Sequence, residues 1–182
     1  MGWQEKIVAQ GAHTGDVRVQ YGALCWCLSG ADVKLLLITS LDTKRWIIPK
    51  GWPMPGLSPE ASAAQEAWEE AGVVGDINPL CLGRYGYQKG VTVQTTVPCA
   101  VGVFGLKVSR LADEYPEMKE RRRKWFSTAE AALLVDEPDL ACIIAGFTPP
   151  VTGRTAPISG ESEYDADPPQ AGRLRTSGRK SH

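Results

Sequence analysis

The chain has 182 residues, room for one good hydrophobic core and a tail but hardly for two domains. A formal charge of −1 supplies no overall basic field of the kind that suggests general nucleic-acid binding, so no nucleic-acid partner is expected. No apolar run is long enough to cross a bilayer, and no membrane partner is expected either.

Residues 1–16 show no strong periodicity and read as an irregular arm, with at most a short strand at 6–9. They have neither a cationic start followed by a long apolar stretch nor a cleavage site. Five cysteines is an odd number, and Cys25 and Cys27, two apart in a strand pattern, point to one face. No cysteine/histidine cluster completes a metal clip, so reduced core cysteines in a soluble, cytoplasmic protein are expected.

From Arg18 the texture changes. Residues 21–28 and 33–39 are apolar and strand-like, separated by the turn Ser29-Gly30-Ala31-Asp32. Trp46-Ile47-Ile48 forms a short strand that leads into Pro49-Lys50-Gly51. Then comes the most informative stretch, residues 51–73, GWPMPGLSPEASAAQEAWEEAGV. Ser58 and Pro59 signal a helix start, an N-cap with proline at the first helical position. Gly72 fits the stop, because glycine tolerates the left-handed conformation that ends many helices.

At about 100° per residue, Glu66, Glu69 and Glu70 share an arc of roughly 100°. Ala63, Ala64, Ala67, Ala71 and Trp68 take the other side and offer a packing surface. Three carboxylates converging beside a backbone turn repel one another unless a cation sits between them. A hard divalent ion with oxygen ligands answers that need. Read alone, a glutamate-rich face is more often simply solvated.

After this helix, 79–87 and 91–106 read as strands joined by a turn near Lys89-Gly90, and Pro98 argues for an edge, a bulge or a break. A charged loop at 112–124 ends in Trp125-Phe126. Ser127 and Glu130 have the spacing of a capping box, Asp136-Glu137-Pro138 interrupts the helix that follows, and 140–147 reads as a second helical piece. From 148 to 182 the composition turns to Pro, Gly, Ser and Arg, too poor in apolar surface to order itself. The expected division is an arm at 1–16, a domain at 17–147 and a disordered tail at 148–182.

The spacing of residues 51–73 resembles the Nudix box, G-x5-E-x7-R-E-U-x-E-E-x-G-U, where U is bulky and apolar. Gly51, Glu66, Ala67, Glu69, Glu70, Gly72 and Val73 fall on its positions without a gap. Leu57 stands where the family has its first glutamate and Gln65 where it has arginine. The resemblance implies an α/β/α sandwich with a mixed β-sheet. It also implies a pyrophosphohydrolase that uses Mg²⁺ or Mn²⁺ to cleave a diphosphate linkage in a polyphosphorylated small molecule. By position in the motif, Gly51, Glu66, Glu69 and Glu70 would hold the metal.

Arg45-Trp46-Ile47-Ile48-Pro49-Lys50 before the box and Arg122-Arg123-Lys124-Trp125-Phe126 after it are similar to the diphosphoinositol polyphosphate phosphohydrolase branch. That likeness points to diphosphoinositol polyphosphates or dinucleoside polyphosphates as substrates, and the wider family resemblance leaves a nucleotide-sugar type open beside them. Lys44, Arg45, Lys50, Arg84, Lys89 and the run 121–124 could line a phosphate-rich pocket, with Arg45, Lys50, Arg122 and Lys124 the candidate phosphate contacts. If 121–124 leads into a strand, Arg121 and Arg123 face opposite to Arg122 and Lys124, and at most half the run reaches the site. Related enzymes often take a further carboxylate from a loop after the central strands; the candidates are Glu114, Glu117 and Glu120, with Glu117 preferred. Leu57 and Gln65 motivate a competing reading, a weakly active or inactive module of this fold that binds a phosphorylated ligand or a protein. No sequence feature sets the oligomeric state.

Overall fold

The computed structural model describes residues 17–91 and 95–150. The expected arm at 1–16 and most of the expected tail at 148–182 lie outside the described residues. Seven strands are described: β1 (Arg18–Ser29), β2 (Asp32–Thr39), β3 (Trp46–Ile47), β4 (Lys50–Gly51), β5 (Val73–Gly90), β6 (Thr96–Leu111) and β7 (Arg123–Ser127). Three helices accompany them, α1 (Pro59–Ala71), α2 (Thr128–Leu134) and α3 (Pro138–Ala145).

The strands form one mixed sheet in the order β3-β2-β1-β6-β5, with β4 beside β1 and β7 beside β2. β1 and β6 run parallel, and the other pairs are antiparallel. Side chains alternate faces along a strand, and that period sorts the core into two layers. Ala23, Cys25, Leu36, Ile38, Phe104 and Leu106 pack with Ala63, Ala67 and Ala71 of α1. Their sequence neighbours Leu24, Trp26, Leu35, Leu37, Val101 and Val103 pack with Ala131, Leu140 and Ile144 of α2 and α3. Both faces of the sheet are therefore covered, and the α/β/α arrangement is met.

The sheet makes room for the turn before α1. β1 pairs with β2 from Cys25 to Ser29, but at Tyr21 and Gly22 its partner is β4. The two residues Lys50 and Gly51 fill the place that β2 leaves. A Cβ at Gly22 would stand 3.0 Å from Ile48 Cδ1 and 3.2 Å from Lys50 Cβ, so the lack of a side chain there lets this segment lie against β1.

Local signals set both helix starts. Ser58 Oγ accepts from the Ala61 N–H at 3.4 Å, and Gly72 closes α1 with φ of 64°. Ser127 and Glu130 form the reciprocal capping box that their spacing requires. Pro98 lies in β6 opposite Gln88, one residue before the ladder to β1 begins at Cys99. Its missing N–H is thus needed only where β6 has a single neighbour. Two strands run longer than their apolar patterns predict. β5 starts at Val73, immediately after the helix cap, and β6 continues to Leu111, because the two pair along their whole length with irregularities around Val74, Cys81 and Gly83. Trp68, placed in the core by its helical position, is only half-buried.

Candidate active site

The alanine stripe of α1 determines where its acids stand. Ala63, Ala67 and Ala71 are 0% exposed, and their small side chains let the helix lie close against the sheet. At about 100° per residue, Glu70 comes nearest this stripe, Glu66 next and Glu69 furthest. Burial agrees at the nearest position: Glu70 is 6% exposed, while Glu66 and Glu69 are both half-buried. The three glutamates are not on an open solvated face.

Each has a defined seat. The Lys50 N–H donates to Glu70 Oε2 at 2.9 Å, and Arg121 Nη2 donates to Glu70 Oε1. Gln65 Nε2 donates to Glu69 Oε1 at 2.7 Å, one helical turn away. The Glu66 carboxylate lies directly against Gly51, where any β-carbon would overlap it. Burial first, and then repulsion from Glu70, Glu69 and Glu117, pushes Glu66 up to about 7. Burial also raises Glu70, opposed by Arg121 and by the Lys50 N–H.

Glu117 is the loop acid that the fold brings here. Its N–H donates to the Glu69 carbonyl at 3.0 Å, fastening the loop to the box helix. Its side chain accepts from Arg121 Nε. Glu114 and Glu120 are exposed. Among the described residues, no three His, Cys, Asp or Glu side chains are gathered into a ready-made ligand set for a metal ion. Their oxygens are turned onto Arg121, Gln65 and the Lys50 N–H instead. The donors are nonetheless all hard oxygens in a cluster whose mutual repulsion is visible at Glu66. That chemistry fits Mg²⁺ or Mn²⁺.

Next to the acids is a cavity of about 220 Å³ whose lining includes Arg45, Lys50, Glu70, Tyr87, Lys89 and Arg121. Lys50 Nζ lies 5.0 Å from the centre of the Tyr87 ring. Burial lowers its pKa, Glu70 opposes that, and Lys89, Arg45 and Arg121 add to it. Arg45 reaches the cavity while donating to Glu137 at 2.7 Å and Asp136 at 3.4 Å. The structure does not bring the other two expected phosphate contacts to this cavity. Arg122 and Lys124 are exposed and line none of this cavity. β7 alternates, and Arg122, Lys124 and Phe126 take the face away from α1, with Lys124 Nζ 5.1 Å from the Phe126 ring centre.

The other half of the run turns inward. Arg121 joins the acids, and Arg123 donates to the Ala71 carbonyl at 2.7 Å and the Ala112 carbonyl at 2.9 Å. Arg123 thereby satisfies the C-terminal end of α1, where a cation is also favoured by the helix dipole. Its guanidinium lies 4.8 Å from the Tyr115 ring centre. Sequence reasoning passed over Arg121 and Tyr87 as individuals. The one available sign was the spacing Glu117-x3-Arg121, which pairs opposite charges across one helical turn.

Gln65 and Glu66 each yield a test. Replacing Gln65 by arginine is expected to raise kcat by roughly three- to tenfold, because a charge-assisted donor holds Glu69 more firmly than a neutral amide. An unchanged kcat would show that the existing bond already suffices. For Glu66 the folded pKa lies above its ordinary value of 4.5, so the neutral form is favoured; the stability it confers is present below 4.5, falls as pH rises from there, and is fully lost above about 7. In chelator, Glu66→Gln is therefore expected to raise Tm at pH 8, by the equivalent of about 1–2 kcal/mol after solvent screening, and to change little at about pH 4. Equal effects at both pH values would remove the acid cluster as the cause.

An acid-lined turn and helix thus stand on one face of a mixed sheet, beside a cavity lined by cations. A family model described as the NUDIX domain matches residues 19–147, and the chain belongs to that family. It is 35% identical over 111 residues to Nudix hydrolase 12, mitochondrial, of Arabidopsis thaliana, covering 57% of this chain and 54% of that protein. It is 32% identical over 110 residues to diphosphoinositol polyphosphate phosphohydrolase 3-alpha of Mus musculus, covering 59% of this chain and 63% of that protein. The chain thus spans between about half and two thirds of the curated relatives it matches. Among solved structures, the C. elegans Ap4A hydrolase aligns with a TM-score of 0.52 at 17% identity, covering 71% of this chain and 95% of that one. A NUDIX hydrolase from Nitrosomonas europaea aligns at 0.54 and 19%, covering 71% and 87%. These structural likenesses bear on the fold.

Proposed function

We propose that the chain is a divalent-ion-dependent pyrophosphohydrolase that cleaves a diphosphate linkage in a polyphosphorylated small molecule. The observation that carries this reading is the Glu66 carboxylate, pressed against Gly51 and raised to about 7 by burial and three further acids, next to a cavity lined by cations. In this reading Glu66, Glu69, Glu70 and the Gly51 carbonyl hold Mg²⁺ or Mn²⁺. When bound, the ion supplies positive charge to the diphosphate oxygens and acidifies the attacking water.

The protein's own groups bind and orient. Lys50 and Arg45, with Lys89, receive the phosphates in the cavity, and Gln65 holds Glu69 in place. Glu117, whose side chain is 29% exposed against 7% for Glu70, is the acid we assign to taking the proton from water. Diphosphoinositol polyphosphates, dinucleoside polyphosphates and nucleotide sugars are the substrate classes that suit four cations around one cavity. Support for them comes from the relatives named above and from a NUDIX domain of Shewanella oneidensis NrtR complexed with ADP ribose, of similar fold at a TM-score of 0.53. The cytoplasm suits a chain whose five cysteines are all free thiols.

A second reading is favoured by two observations. Gln65 replaces a cationic orienting residue, and Leu57, at the first glutamate position, is 46% exposed and carries no charge. In that reading the site binds a phosphorylated ligand without turning it over. One experiment separates the two. The purified chain is offered diphosphoinositol, dinucleoside polyphosphate, ADP-ribose and nucleoside triphosphate substrates with Mg²⁺ or Mn²⁺, and the products are measured. Turnover that vanishes in chelator and in Glu69→Gln supports the hydrolase; binding without turnover on the whole panel leaves only the module.

A further inference from the structure

Arg121 lies outside the regular elements, yet its side chain is only 7% exposed. Three separate parts of the fold hold its guanidinium. Nη2 donates to Glu70 on α1, Nε donates to Glu117 on the loop, and Nη1 donates to the carbonyl of Thr39 at the end of β2 at 3.1 Å. A rigid fork with five N–H groups can satisfy two carboxylates at once, which an ammonium does less well. The same residue lines the cationic cavity beside Lys50 and Lys89. It therefore stands on the border between the acids and the place where phosphates enter.

The two carboxylates that Arg121 joins are also the ones with most to do in the proposed reaction. A carboxylate oxygen directed at a guanidinium is not free on that side for an ion. Arginine cannot relieve the conflict by giving up its proton, because it stays charged at any pH the fold tolerates. A buried guanidinium must keep an anion as partner, and two kinds are within its reach: the acids on one side and phosphate oxygens on the other.

We propose that Arg121 is an exchangeable counter-ion: its guanidinium and the divalent ion compete for Glu70, and ion binding releases Arg121 from Glu70 and Glu117 toward the phosphates in the cavity. The Thr39 carbonyl, which belongs to neither party, is the pivot. The proposal rests on the functional reading above, in which Glu70 holds the ion and Glu117 takes the proton from water. It differs from the alternative that Arg121 is a fixed strut that orients Glu70, because the two demand opposite signs. A strut, once removed, weakens ion binding; a competitor, once removed, strengthens it.

The test uses the full chain and Mn²⁺ alone as the probe. Free Mn²⁺ is titrated by its electron paramagnetic resonance signal in wild type, Arg121→Gln and Arg121→Lys. Arg121→Gln is expected to bind about tenfold tighter than wild type, the loss of one charge-assisted competitor. Arg121→Lys, which keeps the charge but not the fork, is expected to fall between them. A second measurement needs no folded variant at position 121: the arginine Nε–H resonance of Arg121 in wild type should exchange slowly with water in chelator and rapidly at saturating Mg²⁺. Wild type that binds Mn²⁺ while Arg121→Gln binds equally or more weakly overturns the proposal and leaves the functional reading standing. So does an Nε–H that stays protected at saturating Mg²⁺. Wild type that binds no Mn²⁺ overturns both.

Discussion

Glu70→Gln should lower Tm in chelator by about 10 °C and reduce turnover by about a thousandfold. Both effects come from one carboxylate at 6% exposure with both oxygens occupied. Glu70 Oε2 takes the Lys50 N–H at 2.9 Å and Oε1 takes Arg121. Glutamine has the same shape but a single accepting oxygen, so whichever donor it serves, its NH₂ group faces the other. If it faces Arg121, a buried cation loses half of its compensation, and removing one member of a buried pair costs about 3–5 kcal/mol. Glu117 still accepts from Arg121, which places the cost at the low end of that range. Melting curves in chelator read the first effect, and product release with Mg²⁺ reads the second. A Tm equal to wild type would mean that the Arg121–Glu70 pair contributes nothing; wild-type turnover would take Glu70 out of the ion site.

The parts of this molecule that could be read from sequence are those fixed by residues close together in the chain. The N-cap at Ser58, the proline after it and the stop at Gly72 delimit α1 almost to the residue. The Ser127–Glu130 box is equally local, and both of its bonds are present. A helical period then sufficed to put Glu66, Glu69 and Glu70 on one arc and the alanines on another. What could not be read depends on pairing across the sheet. β5 continues through Pro79 and its glycines because β6 lies alongside, a partner some 20 residues further on. Among the three loop acids Glu117 carried only a preference; the bond from its N–H to the Glu69 carbonyl joins residues far apart in the chain.

The basic run 121–124 shows the limit most sharply. Alternation told that its members divide into two faces, but not which face looks toward α1. That was settled by the pairing of β7 with β2, Arg123 opposite Ile38 and Lys124 opposite Leu37. Ile38 packs on the α1 side of the sheet and Leu37 on the other. Arg121 and Arg123 follow Ile38, so the cations that look most accessible, Arg122 and Lys124, are the ones turned away from the acids. A charge count would have pooled all four; the fold uses one to hold carboxylates and one to close a helix.

Gly51→Ala tests the seat of Glu66 and is expected to cost about a hundredfold in turnover, the scale of a displacement of roughly 1 Å at a catalytic group. Gly51 has no left-handed backbone angle that would itself demand glycine. Its constraint is space, because the position its β-carbon would take is already filled by the Glu66 carboxylate. A methyl group there pushes Glu66 off the turn that Lys50 and Gly51 form against β1, and overpacking of this kind costs about 1–3 kcal/mol. The same substitution in a Glu66→Ala background meets an empty place and should cost almost nothing. The two changes are therefore expected to be non-additive by about 1–2 kcal/mol in a double-mutant cycle read from denaturant melts. Additive costs would mean that the glycine serves something other than Glu66. Non-additive costs would tie the first residue of the box to its first helical acid by direct contact, and would explain why the motif begins seven residues before the N-cap, in a two-residue strand rather than in the helix.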